Sequence, residues 1–425
     1  MRTVATQRRV FAPPWSVLGC LVIALTCQAA LPAADPETPS PQTAIPHMLE
    51  MQWSAAPALP RGMQDNDGGR IGNFLVMAGG FCHGIDDDWK PGKYRRGFLN
   101  QAWALDLKNE HTGWVELPPF PGAARQEMYA ATVADAIYLW GGFNYSKPYT
   151  YRDGFKLSRK NQNWQWTQLP PLPRPGAAGN MVAVGTHIYL LGGMDYDSTR
   201  YYVATDRTGQ VTRFGAQLFV FDTSQPAGGW QALPACPGTP RMMAGMGVVG
   251  HQVFVLGGYT VDRVGSAHCV VDGWRFDTRR TTWHRLRDLP SAVAGFGSGS
   301  IVYRNRYLLL PTGYPYPTIL NSDETSRPRY GPSSRVDRSQ WKQHPKLAGV
   351  AYENHFWVYD SQTDLYGRAT PLPYDDHGPA THVVDHSVYL FPGETGGFWW
   401  KGEYFGHAPE FVLKGQITEL DWQRP

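Results

Sequence analysis

Short apolar runs, each closed by a glycine pair or a close variant of one, recur along this chain. Each run is followed by a turn-forming segment and then by a second apolar run, which usually ends in a tryptophan and a Leu-Pro pair. Internal repeats of this kind indicate an array of like units, because one unit cannot bury both of its faces alone. The runs are FLVMAGG (74–80), IYLWGG (137–142), IYLLGG (188–193), VFVLGG (253–258), YLLLPTG (307–313) and VYLFPG (388–393).

Each repeat predicts four antiparallel strands, which is the content of one blade of a β-propeller. The third repeat has outer strands at 219–222 and 230–233, and the next repeat begins with strands at 242–249 and 253–256. The glycine pairs predict points where neighbouring backbones come close, since a side chain would clash there. The tryptophan and leucine of each outer strand are predicted to fill the wedge between adjacent blades.

The two ends of the chain predict how the ring closes. Met51-Gln52-Trp53, followed by Leu59-Pro60, has the pattern of an outer strand without its three partners, whereas residues 410–413 give the last repeat a third strand. We therefore expect the N-terminal strand to close the last blade. The predicted fold is all-β, a six-bladed propeller over residues 51–425, with seven blades as the alternative.

The amino-acid composition agrees with this fold class and argues against one class of binding partner. The chain is 42% hydrophobic and 13% aromatic, with 46 Gly and 35 Pro, which suits strands joined by many tight turns. It has 39 basic and 36 acidic residues, and no dense Lys/Arg run is interleaved with aromatics. A nucleic acid is therefore not an expected partner.

The N-terminal residues have the pattern of a targeting segment. Arg8-Arg9 precede an apolar stretch, 17–25, that is too short to span a bilayer, and small residues follow it. We expect a signal peptide over 1–34 and a linker rich in Pro and Thr over 35–50. The mature protein is predicted to be periplasmic or secreted, with no membrane span after cleavage, by either the general or the twin-arginine route.

No cofactor or metal is expected from the sequence. Cleavage leaves Cys82, Cys236 and Cys269, whose spacing fits no zinc motif. Cys82 and Cys269 fall in opposite repeats, so we expect isolated thiols. The run Asp86–Asp88 lacks the glycine and glutamate spacing of a calcium loop and favours a solvated acidic loop.

Three features together resemble Kelch-repeat proteins over about 51–425: the glycine pair, the aromatic third strand ending in aspartate, and the Trp…Leu-Pro ending. This resemblance implies a propeller but no single function, because Kelch propellers serve as interaction scaffolds, copper-radical oxidases and sugar mutarotases. The copper chemistry needs two His and two Tyr ligands, one Tyr crosslinked to a Cys. No Tyr-His neighbours occur, and Cys82 has no evident Tyr partner.

Within that group the chain looks most like the periplasmic N-acetylneuraminate epimerase (sialic acid mutarotase) family. The secretion signal and the blade count carry this resemblance, together with Arg125-Gln126-Glu127, the insertion segment 326–330 and the glycine-rich segment 392–397. The resemblance implies a Glu directly after the fourth glycine pair and an Arg a few residues later. This chain has Tyr259 and Arg263 there, so the acid/base residue of that family is not carried over.

Strand alternation predicts where a site lies. The loop before the first strand and the loop after the second emerge on the same side of each blade, around the axis. Arginines there suit an anionic ligand, since guanidinium grips a carboxylate with two prongs, and aromatics suit a sugar ring. The alternative is that such arginines bond backbone carbonyls of neighbouring blades. The candidate ligand-binding residues are Arg61, Arg125, Arg174, Arg241, Arg263, Asn144, Asp195 and Tyr259.

Glu394 is the candidate acid/base, with Asp376 and His377 as a second pair. Mutarotation moves one proton onto the ring oxygen and takes another from the anomeric hydroxyl, which a desolvated carboxyl can do near neutral pH. The alternative for Glu394 is a turn residue. The sequence thus predicts a secreted propeller that binds a small acidic carbohydrate, with anomer interconversion as the candidate activity. A non-catalytic module for a surface protein or glycan is the alternative.

Overall fold

The structure is a computed structural model, and contacts divide the chain into Met1–Pro36 and Glu37–Pro425. It describes residues 42, 44–84, 94–195, 213–261, 267–291, 295–311, 313, 354–391, 393–395, 398–406 and 408–422. The predicted signal peptide, Asp86–Asp88, Arg263 and nearly all of the 314–355 insertion lie outside the described residues. Among the described residues, no helix is long and apolar enough to cross a bilayer.

The first half of the chain forms β1 and then three four-stranded antiparallel sheets. The sheets have the strand orders β2-β3-β6-β7, β8-β9-β10-β11 and β12-β13-β14-β15, and a small ladder, β4-β5, follows β3. The strands are β1 (His47–Ala56), β2 (Asp67–Ile71), β3 (Phe74–Ala78), β4 (Phe81–Cys82), β5 (Gly97–Phe98), β6 (Ala102–Asp106), β7 (Trp114–Leu117), β8 (Tyr129–Val133), β9 (Ala136–Trp140), β10 (Gly154–Lys160), β11 (Asn163–Leu169), β12 (Asn180–Val184), β13 (His187–Leu191), β14 (Phe219–Asp222) and β15 (Trp230–Ala232).

The second half forms a fourth such sheet, β16-β17-β20-β21, and a nine-stranded sheet of order β22-β28-β29-β33-β1-β26-β25-β24-β23. Its strands are β16 (Gly245–Val249), β17 (Gln252–Leu256), β18 (Tyr259–Val261), β19 (Ala267–Cys269), β20 (Gly273–Asp277), β21 (Thr282–Leu286), β22 (Gly299–Ser300), β23 (Val302–Tyr303), β24 (Tyr307–Pro311), β25 (Phe356–Asp360), β26 (Leu365–Ala369), β27 (Asp376–His377), β28 (Ala380–Val384), β29 (Ser387–Phe391), β30 (Glu394–Thr395), β31 (Phe398–Trp400), β32 (Glu403–Phe405) and β33 (Val412–Glu419).

In the part of the chain that the structure describes, helix is confined to single turns. The described residues include one α-helical turn, α1 (Arg213–Ala216), and two 3-10 turns, Glu110–Thr112 and Pro226–Gly228. The fold class is therefore all-β, as predicted.

The N-terminal strand pairs with the end of the chain. β1 runs antiparallel to β33 over eight residue pairs, from Leu49↔Glu419 to Ala56↔Val412. It therefore lies beside β33 in the strand order β28-β29-β33-β1. Its first residues also run parallel to β26, with His47 opposite Arg368, and this contact joins two four-stranded groups into the nine-stranded sheet.

The inner strands of successive sheets contact one another, β2 with β8, β8 with β12, and β12 with β16, so the sheets turn around a common centre. Apolar clusters fill the wedges between neighbouring sheets. One of them combines Val76 and Leu117 of the first sheet with Leu139 and Leu157 of the second. This is the arrangement of a β-propeller, in which the faces of each sheet are buried by its neighbours.

The tryptophans of the outer strands bind the preceding sheet. Four of them donate the indole N–H to the carbonyl of a proline from the preceding repeat, and these bonds agree with the predicted packing in the wedges. They join Trp114 Nε1 to Pro57 O (3.0 Å), Trp166 Nε1 to Pro118 O (2.8 Å), Trp283 Nε1 to Pro234 O (2.8 Å) and Trp53 Nε1 to Pro371 O (2.8 Å).

The glycine pairs have the role that their spacing predicts. Gly141 and Gly142 both have a positive φ, of 65° and 88°. A Cβ at Gly142 would lie 2.8 Å from the carbonyl oxygen of Gln126, which is closer than side-chain carbons approach backbone oxygens. The pair thus lets the second strand turn away beneath the loop that begins the first strand.

Candidate functional site

A ring of backbone hydrogen bonds surrounds the centre of the propeller on one face. The N–H of Glu127 donates to Asp65 O (3.1 Å), that of Ala178 to Glu127 O (3.1 Å) and that of Met243 to Ala178 O (2.8 Å). On the far side, Gly378 N donates to Gly295 O (3.0 Å). All the residues of this central ring have left-handed backbone, with φ of 51° at Asp65, 52° at Glu127, 56° at Ala178, 46° at Met243, 87° at Gly295 and 69° at Gly378.

The central ring marks the face that the sequence predicts for a site. The residue before each ring position pairs with the residue after a glycine pair, as in Gln64↔Phe81, Gln126↔Phe143 and Met242↔Tyr259. The loops before the first strand and after the second therefore do share one side of the sheets, and that prediction is confirmed.

Three half-buried carboxyl groups meet on this face: Asp65, Glu127 and Glu394. The side-chain amide of Gln64 links two of them, since its Nε2 donates to Asp65 Oδ2 (2.8 Å) and to Glu394 Oε1 (2.9 Å). These two carboxylate oxygens are therefore no further apart than the sum of the two bonds. We refer to Asp65, Glu127 and Glu394 as the carboxyl cluster.

The electrostatics of the carboxyl cluster favour its protonated form. Burial, followed by repulsion from Glu394, raises the pKa of Asp65 from 3.8 to about 7, against the opposing bond from Gln64. Burial also raises the pKa of Glu127 well above its usual value, and Asp65, Asp67 and Glu394 add to the effect. Like charges this close cannot all ionise together, so the carboxyl cluster holds a proton near neutral pH.

Two further carboxyl groups lie beneath the central ring and are fully buried. Asp67 accepts a hydrogen bond from Met128 N (2.7 Å), and Asp376 accepts from His377 N (2.8 Å) and Gly393 N (3.0 Å). Burial raises the pKa of both groups well above the ordinary value. Asp376 thus braces the loop that carries His377 and Glu394.

His377 lies beside Glu394, with which its backbone pairs. The imidazole is buried, and burial lowers its pKa from 6.5 to about 4, although Glu394 acts in the opposite direction. A Cβ on Gly295 would lie 2.2 Å from His377 Nε2, so the glycine in the central ring makes room for this side chain. His377 is therefore neutral at pH 7.

Arg125 and Arg241 are buried and hold the loops of their own repeats. Arg125 makes two bonds to Asp153, Nη1–Oδ1 (2.6 Å) and Nη2–Oδ2 (2.9 Å), and stacks 3.8 Å from the centre of the Tyr151 ring. Arg241 pairs with Asp272 and donates to the carbonyl oxygens of Thr239 (2.9 Å) and Gly257 (3.1 Å). Both arginines thus bind an aspartate and backbone carbonyls of their own repeats, rather than carbonyls of neighbouring blades.

The other predicted ligand-binding residues are dispersed. Arg174 is exposed, and Asp195 lies near the hydroxyl of Tyr129, whose pKa it raises after the larger effect of burial. Asn144 is buried and donates to Ala124 O (2.8 Å) and Tyr151 Oη (2.8 Å), so its amide shapes its own loop. Tyr259 is also buried, in an apolar cluster with Met242 and Met243.

Four aromatic rings pack together in the segments that follow the first two glycine pairs, and we refer to them as the aromatic wall. Its rings are Phe81, Phe98, Phe143 and Tyr145, with centroids 4.9 Å apart for Phe81–Phe98 and 4.8 Å for Phe98–Tyr145. Tyr145 is 52% exposed, so its ring is open to a ligand. Phe81 pairs through its backbone with Gln64, and the side-chain amide of Gln64 binds Asp65 and Glu394.

The basic groups at this edge are Arg61 and Arg96. The guanidinium of Arg96 lies 4.8 Å from the centre of the Phe81 ring and donates to His83 O (3.2 Å). That of Arg61 lies 5.4 Å from the centre of the Tyr94 ring. Arg96 thus packs on the aromatic wall at Phe81, the residue that pairs through its backbone with Gln64.

The sequence prediction named Glu394 as an acid/base candidate but did not include Asp65, to which the Gln64 amide links it. A signal was available, because Gln64-Asp65 and Gln126-Glu127 occupy the same place before the first strand of successive repeats. Aligning the repeats at their glycine pairs brings the two acids into register. It also shows that Arg61 and Arg174 are offset from Arg125 and Arg241.

The fold and the repeat define a class, and comparison with known proteins supports it. A family profile described as the Kelch motif matches residues 240–290. The solved structure of YjhT superimposes with a TM-score of 0.57 at 16% identity, covering 87% of this chain and 100% of that one. These findings support a Kelch-type β-propeller. Within the described residues, no group of three or more His, Cys, Asp or Glu is arranged to hold a metal ion.

Sequence comparison shows which curated proteins the chain is similar to. N-acetylneuraminate epimerase from Haemophilus influenzae is 23% identical over 368 residues, which cover 80% of this chain and 88% of that protein. Kelch-like protein terF from Aspergillus terreus is 27% identical over 297 residues, covering 67% of this chain but 56% of the fungal protein. The chain thus spans little more than half the length of that relative. The resemblance to Kelch proteins and to N-acetylneuraminate epimerases is confirmed.

Proposed function

We propose that this protein binds a small acidic carbohydrate at the central ring and interconverts its anomers. In this proposal the propeller has six blades, the last of which is closed by the N-terminal strand β1. We also propose an extracytoplasmic location, for which the N-terminal sequence pattern is the support. The names of the bacterial relatives support the choice of sugar, an N-acylated acidic monosaccharide.

One observation carries the proposal: two carboxyl groups, Asp65 and Glu394, are linked by the Gln64 amide, and burial with repulsion from Glu394 raises the pKa of Asp65 to about 7. A general acid/base works best when its pKa lies near the operating pH, because both protonation states are then populated. The pKa of Asp65, about 7, meets that condition. Both residues are partly exposed.

The reaction needs one acid and one base. Protonated Asp65 donates its proton to the ring oxygen of the sugar while ionised Glu394 removes the proton of the anomeric hydroxyl. The ring C–O bond breaks and gives the open-chain keto form. After rotation of the keto group, the ring hydroxyl attacks the opposite face of the keto carbon. Asp65 then regains its proton from the ring oxygen, and Glu394 returns its proton to the new anomeric hydroxyl. Repulsion between the two carboxyls keeps one of them protonated while the other is ionised.

The aromatic wall gives the sugar a place to lie. Apolar C–H faces of a sugar pack on aromatic rings, and Tyr145 is an exposed ring of the aromatic wall. On the opposite side of the central ring, Ala178 and Met243 present apolar side chains rather than acids. This asymmetry would hold the reacting end of the sugar toward Asp65 and Glu394.

The test is anomer exchange followed by proton NMR. Freshly dissolved α-N-acetylneuraminic acid is mixed with the wild type, Glu394→Gln, Asp65→Asn or the surface control Asp385→Asn. We expect the wild type and the control to reach equilibrium faster than buffer, and each site variant to lose most of that acceleration. A wild type that binds the sugar without accelerating exchange would refute catalysis and leave the non-catalytic binding module.

A further inference from the structure

We infer that Glu127, in its protonated form, donates a hydrogen bond to the carboxylate of the bound sugar and so selects acidic over neutral sugars. This inference rests on the proposed function, since it assigns a further substituent of the same sugar to the same site. The observations that carry it are the position of Glu127 in the carboxyl cluster, the unpartnered polar atoms beside it and the residues that line the neighbouring cavity.

The covalent structure of the sugar places its carboxylate beside the reacting atoms. In N-acetylneuraminic acid the anomeric carbon carries the ring oxygen, the anomeric hydroxyl and the carboxylate together. When the ring oxygen meets Asp65 and the hydroxyl meets Glu394, the carboxylate therefore also lies at the carboxyl cluster. Glu127 is the remaining member of that cluster.

Glu127 is within reach of both proton-transfer groups of the proposed reaction. Its backbone N–H donates to Asp65 O (3.1 Å), and both residues line one cavity beneath the central ring, together with Asp67. Burial raises the pKa of Glu127 most, and Asp65, Asp67 and Glu394 raise it further, so these charges act directly on its carboxyl group. One sugar can therefore meet Asp65, Glu127 and Glu394 with three substituents of a single carbon.

These surroundings favour the carboxylic acid form of Glu127. A sugar carboxylate brought beside it adds another negative charge, which favours the protonated form still more. A protonated carboxyl group is a hydrogen-bond donor, whereas the ionised form can only accept. The carboxyl group of the sugar is the stronger acid, because its carbon carries two oxygens. The proton therefore stays on Glu127, and the carboxylate of the sugar accepts the bond.

Two adjacent side chains at this place carry buried polar atoms that no described residue bonds. The atoms are Oε2 of Glu127 and Oε1 of Gln126, and Gln126 is only 5% exposed. Gln126 has the same place in its repeat as Gln64, whose amide does bind the carboxyl group that follows it, that of Asp65. Leaving buried polar atoms unpaired is costly, so such a pair indicates a position where a polar ligand group completes the bonding.

The described residues that line this cavity offer the carboxylate no cation. They include Asp65, Asp67 and Glu127 but no Lys, Arg or His. Arg125, two residues before Glu127, is held by Asp153 through two hydrogen bonds. A neutral donor is therefore the group that meets the carboxylate here, and Glu127 supplies one next to Asp65.

The experiment compares an acidic sugar with a neutral copy of it. The Kd values of N-acetylneuraminic acid and of its methyl ester are measured by calorimetry at pH 6 with the wild type, Glu127→Met, Glu127→Gln and Glu116→Met. Methionine suits the left-handed backbone of this position, since Met243 occupies it in the fourth repeat with a φ of 46°. Glu116 is exposed on β7, so Glu116→Met is the matched control on the surface.

We expect Glu127→Met to raise the Kd of the acid roughly 10- to 100-fold, the range of hydrogen bonds to charged groups, and that of the ester less than about threefold. Glu127→Gln keeps a neutral donor, so its Kd for the acid should stay within about tenfold of the wild type. Retained binding of the ester shows that the site of each variant is folded. Glu116→Met should match the wild type with both sugars.

The sign of the change tests the protonation state directly. An ionised Glu127 would repel the acid, so tighter binding of the acid by Glu127→Met would show that the inference is wrong. An equal loss of acid and ester, or the same selective loss in Glu116→Met, would overturn it as well. These outcomes concern binding and leave the proposed catalysis standing. A wild type that neither binds the acid nor accelerates its exchange would contradict the proposed function, and the inference with it.

Discussion

Replacing Asp65 with asparagine should stabilise the folded protein at alkaline pH. The folded-state pKa of Asp65 is about 7, against 3.8 for an unperturbed aspartate, and burial is the larger cause. The folded protein therefore keeps a proton that the unfolded chain has lost between about pH 4 and pH 7. Stability falls as pH rises through that window and levels off above it, because both states are then ionised.

The size of this stabilisation follows from the pKa shift of Asp65. About three pKa units correspond to roughly 4 kcal/mol, which is the most that ionised Asp65 can cost at pH 8. Part of this cost is shared with Glu394. We therefore expect Asp65→Asn to raise the free energy of unfolding above that of the wild type by roughly 2 to 4 kcal/mol at pH 8. At pH 5 the increase should be about 2 kcal/mol smaller. Asparagine is isosteric and its side-chain oxygen can still accept the bond from Gln64.

The assay is urea unfolding at pH 5 and pH 8, with Asp385→Asn as a control on an aspartate whose side chain is 78% exposed. The wild type and the control should lose stability between pH 5 and pH 8 relative to Asp65→Asn. If Asp65→Asn tracks the wild type at both pH values, Asp65 is an ordinary ionised aspartate, and the reasoning about the carboxyl cluster is refuted.

Three further outcomes test the fold and its buried groups. Arg125→Gln should lower the free energy of unfolding by roughly 1.5 to 3 kcal/mol, because it removes two hydrogen bonds to the carboxylate of Asp153, whose side chain is 33% exposed; a change below about 0.5 kcal/mol in urea would contradict the bidentate pair. Gly142→Ala should cost roughly 1 to 3 kcal/mol, measured the same way, because its φ is positive and its Cβ meets a backbone oxygen; a neutral result would remove the close approach. His382 is buried and its pKa is lowered by burial from 6.5 to about 4, so its contribution to stability is intact above pH 6.5 and is lost as pH falls toward 4. His382→Phe should therefore flatten the decline of Tm between pH 6.5 and 4, and an unchanged slope would show that this imidazole is not kept neutral.

The fold could be predicted from the sequence because its signals are local and repeated. Each glycine pair, each outer-strand tryptophan and each Leu-Pro pair reports the same geometry, so the repeats support one another. The chain ends were informative for a related reason: Met51-Gln52-Trp53 has an outer-strand pattern without partners, and its partner is β33 at the other end. The face that carries the loops followed from strand alternation alone.

Only part of the candidate site could be predicted from the sequence, because its residues come from distant repeats. Asp65, Glu127 and Glu394 meet only when the sheets turn around a common centre, and nothing local to Asp65 reveals that Glu394 will lie beside it. The arginines show the opposite difficulty. Arg125 carries the local pattern of a ligand-binding residue, but Asp153, which occupies it, can be identified only from the folded structure.

The central claim is that Asp65 and Glu394 exchange protons with a bound sugar, and the pH dependence of exchange tests it most directly. Anomer exchange of N-acetylneuraminic acid is followed by NMR from pH 5 to pH 9 with the wild type and Asp65→Asn. The account predicts acceleration over buffer in the wild type, with a transition near pH 7 that the variant lacks. A wild type no faster than buffer at any pH, or a variant with the same transition, would contradict it.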